Sequence, residues 1–182
     1  PSLARMVNAK INALPRPIKW FSMPRLCRAE NPQKGRLREF FQWNIDVIGS
    51  DEILADAECI FVCVDFLREV ALTPQDVQVR IGHRALTVAA LNFFGVPSDR
   101  VDAVLPVLDK RPKVSGEEFD RLCAQAGLRT DQIDAVRKFQ DSATPDAIRR
   151  LLAGCDAVEP LLAELERLLE MLADMGVSDY CR

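Results

Sequence analysis

Histidine occurs once in this chain, and none of its six cysteines forms a C-x-x-C pair. Cys59 and Cys63 stand four residues apart, on one face of a helix, but a single histidine leaves a zinc site short of ligands. All six, Cys27, Cys59, Cys63, Cys123, Cys155 and Cys181, are scattered among apolar neighbours, so free thiols packed in the interior are expected rather than a metal centre. The lone His83 follows Arg80-Ile81-Gly82 at a strand-to-loop junction, where a structural hydrogen bond is expected rather than general-base duty. No G-x-G-x-x-G or Walker sequence is present, which excludes the βαβ phosphate-binding loops. No apolar run approaches the roughly 20 residues that span a bilayer, and no charged-then-apolar leader opens the chain. A cytoplasmic protein is expected. Neither internal repeats nor low-complexity stretches occur.

What is present belongs to a soluble globular protein: 182 residues, 48% hydrophobic and 28% charged, enough for one domain or a domain with an appendage. The charge is unevenly placed. Residues 1–50 hold nine Lys or Arg against Glu30, Glu39 and Asp46, a local +6 in a chain of net −3, which leaves −9 for the remainder. A positive segment in an acidic protein fits a local anionic ligand, such as nucleotide phosphates or an RNA end, better than a general nucleic-acid coat.

That segment reads as a hairpin. Asn31-Pro32 and Lys34-Gly35 are turn-forming pairs between two extended runs, Phe21 to Glu30 and Arg36 to Ile48. In the second run Phe41, Trp43, Ile45 and Val47 share one side, expected to face a core. Phe40, Gln42, Asn44 and Asp46 share the other. A lone aromatic among amides and a carboxylate suits the flat ring of a ligand better than bulk water. The alternative is an amphipathic strand with a solvated polar face.

Around the hairpin, helical spacing of Leu3, Met6, Val7 and Ile11 ends at Pro15 and Pro17. Gly49-Ser50-Asp51-Glu52 offers a cap and two first-turn acids for a helix carrying Ile53, Leu54, Ala57, Phe61, Val64 and Leu67. Val77 to Ile81 predicts a short strand and Ala85 to Phe94 a helix. After Gly95-Val96-Pro97 the chain turns into short, well-punctuated helices. Ser98 is expected to cap one helix, Ser115 with Glu118 to form a capping box, and Thr144-Pro145 to start another. Gly127, Gly154 and Gly176 are expected stops. Val158, Leu161, Leu162, Leu165, Leu168, Leu169 and Leu172 form a stripe expected to be core, with a dimer contact as the lesser reading.

The stretch Arg28 to Asp46, with its Pro-Gln-Lys-Gly-Arg turn followed by Glu-Phe-Phe-Gln, resembles motif 2 of the class II aminoacyl-tRNA synthetases and, within them, the histidyl-tRNA synthetase family. Leu108-Asp109-Lys110-Arg111-Pro112-Lys113 looks like that family's Asp-Lys-x-x-Lys signature. The resemblance implies an α+β fold: part of a class II antiparallel sheet with flanking helices over residues 1–95, an all-α insertion domain over 96–176, and a return to the core at 177–182. It also implies that Arg28 holds the ATP α-phosphate and acts in catalysis, Glu30 and Arg36 serve the nucleotide or acceptor end, and Phe40 stacks on adenine. Gln42 would take the α-amino group of histidine and Asp46 its imidazole, while Lys110, Arg111 and Lys113 would meet tRNA. Asp46 stands where many members have glutamate, and Phe41 where histidine is common. The implied reaction joins histidine to ATP as histidyl-adenylate and transfers it to tRNA(His), with Mg2+ accompanying ATP, in a homodimeric parent.

Motif 1, motif 3 and an anticodon-binding domain are absent from the sequence. Pro1 is not an initiator and Asp179-Tyr180-Cys181-Arg182 reads as a strand just begun, so an inactive piece of a longer enzyme is expected. The runner-up is the non-catalytic, histidine-binding regulatory subunit of ATP phosphoribosyltransferase, against which the helical segment 96–176 argues. An interaction module built only from that segment would leave the positive hairpin unexplained.

Overall fold

Pro24 has no amide hydrogen, and this one residue shapes the look of the sheet in the computed structural model, which describes residues 2–29, 31 and 34–182. Strands β1 (Ile18–Ser22) and β4 (Asn44–Ile48) pair antiparallel, as do β2 (Arg25–Cys27) and β3 (Glu39–Phe41). The residue numbers of every partner pair, from Ile18↔Ile48 to Cys27↔Glu39, add to the same total. The two pairs are therefore one hairpin without slip or bulge, nicked where Pro24 cannot donate. Its carbonyl still accepts from Gln42 N–H at 3.2 Å, and Arg28 N–H reaches Arg38 O at 2.9 Å in the same register. Gly35 supplies the turn's φ of +79°.

The chain folds as two compact units, residues 1–71 and 72–182. In the first, α1 (Ser2–Ala9) buries only Val7, and α2 (Ile53–Glu69) packs on the hairpin through buried Ala57 and Val64. Trp43 meets Phe66 with ring centroids 5.2 Å apart, and Lys19 Nζ pairs with Glu58 at 2.6 Å. Helix α2 starts at Ile53, later than the sequence predicts. Ser50 Oγ accepts from Glu52 N–H at 3.2 Å, closing a local turn, so Asp51 and Glu52 precede the first turn and Asp56 is its acid. Ile45 and Val47 are half-buried, but Phe41 is 78% exposed, against the expectation of a core-facing ring. Alternation gave its side correctly. Phe21 and Met23, on the same face, are also exposed, at 71% and 69%.

The second unit is helical: α3 (Arg84–Phe93), α4 (Ser98–Leu108), α5 (Gly116–Gln125), α6 (Thr130–Asp141), α7 (Pro145–Leu151) and α8 (Val158–Asp174). One buried cluster gathers Leu91, Val104, Phe119, Cys123 and Val136, and another Leu86, Ala90, Leu152 and Leu162. Helix α3 feeds both, so the change of character at Gly95 falls inside this unit rather than at its edge. Gln132 is 2% exposed, its amide nitrogen donating to Phe94 O at 3.1 Å and Gly95 O at 2.8 Å while its oxygen accepts from Arg129 N–H. Ser115 and Thr144 cap as expected, their hydroxyls accepting from Glu118 and Ala147 N–H, each at 3.2 Å, but the expected capping box is only half made because the Glu118 carboxylate accepts from Arg121 instead. Gly127, Gly154 and Gly176 adopt φ of +92°, +90° and +70°. Ser98 is the first helical residue, and Pro97 holds the cap position.

Two expected strands do not form. Val77 to Ile81 contributes a single parallel bridge, Val79↔Cys181, and Ser178–Tyr180 is a 3-10 turn pinned by the Tyr180 hydroxyl to Leu72 O at 2.8 Å. The sheet as a whole is small and antiparallel, and with the helices gives an α+β fold. Among the described residues no helix is long and apolar enough to cross a membrane.

Candidate nucleotide and amino-acid site

Directly opposed residues of an antiparallel pair share a face, so the register sets Trp20, Ser22, Leu26 and Arg28 on the same side as Phe40, Gln42, Asn44 and Asp46. Contacts bear this out at the turn end. The Arg28 guanidinium carbon lies 5.1 Å from the centroid of the Phe40 ring, and Arg28 Nη2 donates to Gln42 Oε1 at 3.3 Å. Gln42 Nε2 in turn donates to Asn44 Oδ1. A cation, a flat ring and two amides thus converge on one face.

Asp46 lies further along the same strand, half-buried and opposite Trp20. No hydrogen bond or ion pair among the described residues joins it to the Arg28 group. Arg36 is exposed at the turn, and Glu30 lies outside the described residues. The hairpin and α2 line an open, largely apolar cavity of about 460 Å³ whose walls include Trp20 and Asp46 as well as Trp43, Ile45, Cys59 and Val62. Burial raises the Cys59 pKa, with Asp56, Glu58 and Asp46 adding to the effect.

A profile of the histidyl-tRNA synthetase family matches residues 1–181. The chain belongs to the histidyl-tRNA synthetase family. The histidine–tRNA ligase of Natronomonas pharaonis is 38% identical over all of this chain, which covers 41% of that protein. The chain thus spans about two fifths of the length of the curated relatives it matches. Among solved structures, a histidyl-tRNA synthetase from Nostoc superposes with a TM-score of 0.81 at 19% identity, covering 98% of this chain and 42% of that one. A Bacillus halodurans structure described as an ATP phosphoribosyltransferase regulatory subunit/histidyl-tRNA synthetase superposes at 0.78 and 21% identity, covering 99% and 46%. At these identities both likenesses speak to fold alone.

The three basic residues assigned to tRNA by resemblance are not equivalent in this member of the family. Arg111 Nη2 lies 2.8 Å from both carboxylate oxygens of Asp141 and Nη1 donates to Arg137 O at 3.2 Å, with its guanidinium 5.7 Å from the Phe119 centroid. It staples the 3-10 turn Arg111–Lys113 to the end of α6. Lys110 and Lys113 are exposed and make no ion pair with any described residue. The sequence missed this division because Asp141 is thirty positions away.

Sequence reasoning placed Asn44 on the site face but gave it no role, and its bond to Gln42 is new. His83 does what a structural histidine does: Nδ1 accepts from Leu86 N–H at 3.1 Å to cap α3, and Nε2 lies 3.2 Å from Glu164. Among the described residues no group of three His, Cys, Asp or Glu could hold a metal ion.

Proposed function

We propose that this chain carries the motif 2 hairpin and the helical insertion domain of a histidine–tRNA ligase. The observation that carries the reading is the Arg28 guanidinium set between the Phe40 ring and the Gln42 amide, on one face of a hairpin in a chain of this family. In the activation step a carboxylate oxygen of histidine attacks the α-phosphorus of ATP, the bond to the β-phosphate breaks, and pyrophosphate leaves with its electrons. Arg28 presents paired N–H donors to the α-phosphate oxygens, where negative charge builds as the phosphorus becomes pentavalent. Phe40 offers its ring face to adenine. Gln42 accepts from the α-ammonium of histidine, and Asp46 accepts from the imidazole N–H. In the second step a ribose hydroxyl of the tRNA terminal adenosine attacks the carbonyl of the adenylate and AMP departs. Positioning and charge stabilisation supply the rate, without a general base from this chain.

In this reading Arg36 serves the phosphates or the acceptor end, and Glu30 accepts from the adenine amino group or approaches the terminal adenosine of the tRNA. The helical insertion, residues 96–176 of the second unit, presents Lys110 and Lys113 to the tRNA backbone, with Arg111 holding the turn that carries them. The full-length protein works as a cytoplasmic homodimer.

The 38% identical ligase supports this over the regulatory-subunit alternative, for which the likeness is one of fold. The test is histidine charging of tRNA(His) by a protein carrying this chain at its relatives' full length. Formation of histidyl-tRNA is expected. Binding of histidine without charging, together with activation of an ATP phosphoribosyltransferase, would favour the regulatory subunit.

A further inference from the structure

A glutamine amide has an acceptor end and a donor end, and only one of them can greet an ammonium group. Arginine has donors alone, so the Gln42 atom that faces Arg28 Nη2 must be Oε1. That leaves Nε2 directed along the strand, where Asn44 Oδ1 accepts from it. The two neighbours lock the amide from both ends: Arg28 is satisfied only by an oxygen, and Asn44 meets the nitrogen only through its own oxygen. Gln42 and Asn44 are both half-buried, so water competes less for the bond between them than for the exposed bond from Arg28.

We propose that Asn44 is a positioning residue for recognition of the amino-acid α-ammonium, holding Gln42 with Oε1 toward the ligand. The proposal rests on the functional reading above. Oε1 keeps a second lone pair after accepting from Arg28, and an α-ammonium needs an acceptor. Without Asn44 the amide loses the partner that fixes Nε2, and the flipped rotamer would set two donors against a cation. Because aspartate also offers only acceptors toward Nε2, Asn44→Asp preserves the lock, whereas Asn44→Ala removes it.

The orientation can be read in this chain without any ligand. In 15N spectra, the Gln42 side-chain NH2 is expected to show one strongly downfield, slowly exchanging proton in wild type and Asn44→Asp, collapsing to solvent-like shifts in Asn44→Ala. Identical Gln42 signals in wild type and Asn44→Ala would overturn the lock. Recognition is read in the full-length protein by comparing histidine with 3-(imidazol-4-yl)propionate, which lacks the α-amino group. Asn44→Ala is expected to weaken histidine at least tenfold, to leave the propionate within twofold, and to leave the KM for ATP unchanged, with Asn44→Asp restoring histidine. Equal weakening of both ligands, or of neither, would overturn the positioning role. Failure of the wild type to bind histidine at all would instead sink the functional reading, and the spectra would still decide whether Asn44 orients Gln42.

Discussion

Arg28 stands over the Phe40 ring at 5.1 Å, cation against π-face, while its backbone N–H holds Arg38 O at 2.9 Å across the hairpin. The ring shares its face with the Gln42 and Asn44 amides, the Asp46 carboxylate and the Arg28 guanidinium, and across the register with Trp20, Ser22 and Leu26. If that ring is the adenine platform, Phe40→Leu keeps apolar bulk but removes the flat partner. The KM for ATP of the full-length protein is expected to rise about tenfold, in line with about 1–3 kcal/mol for stacking a base on an aromatic ring, with the KM for histidine changing much less. A parallel rise in both constants would argue for a folding role of the ring.

The division of labour among Lys110, Arg111 and Lys113 separates binding from stability. Arg111→Ala breaks the ion pair of Nη2 with Asp141, a bond to Arg137 O and a ring contact, and is expected to cost roughly 1–2 kcal/mol, visible as a fall in Tm. Lys110→Ala with Lys113→Ala is expected to leave Tm nearly unchanged but to raise the KM for tRNA and flatten its salt dependence. A tRNA constant indifferent to both lysines would leave the helical unit a purely structural element.

Gln132 ties the end of α3 to the start of α6 through three hydrogen bonds made by one buried amide. Gln132→Leu fits the volume but strands the Phe94 and Gly95 carbonyls and the Arg129 N–H. A loss of roughly 2–4 kcal/mol in urea unfolding is expected, against less than 1 kcal/mol if water replaces the amide.

Burial, reinforced by Asp120, pushes the Cys123 thiol up to about 11, with Arg137 and Arg111 opposing. Its ordinary value is 9.0. Between these values the unfolded chain loses the proton and the folded chain keeps it, so stability is complete below about pH 9 and falls as pH rises toward 11, by roughly 1.4 kcal/mol per unit. Cys123→Ala is expected to flatten that decline in chemical denaturation. An unchanged slope would place the alkaline loss elsewhere.

The hairpin was legible because turn pairs bracket two alternating runs, and alternation names faces without needing contacts. What covers a face is another matter: Phe41 and Ile45 alternate identically, yet only Ile45 lies under α2. The partnership of Arg111 with Asp141 spans thirty residues and has no local signature, whereas the hydroxyl caps at Ser115 and Thr144 are local and were read directly. His83 was read as structural from its setting, but its helix-capping geometry needed the fold. The Val77–Ile81 strand failed because periodicity finds extended backbone and cannot supply a partner. Among the described residues, Cys181 and its immediate neighbours pair with it.

The central claim is that Arg28 serves ATP in a histidine-activating site, and it is tested most directly by histidine-dependent exchange of labelled pyrophosphate into ATP in the full-length protein. The wild type is expected to exchange only when histidine is present. Arg28→Ala, with unchanged circular dichroism and Tm, is expected to lose about 100-fold or more, the scale of removing one donor from a developing oxyanion. Exchange undiminished in Arg28→Ala would contradict the account.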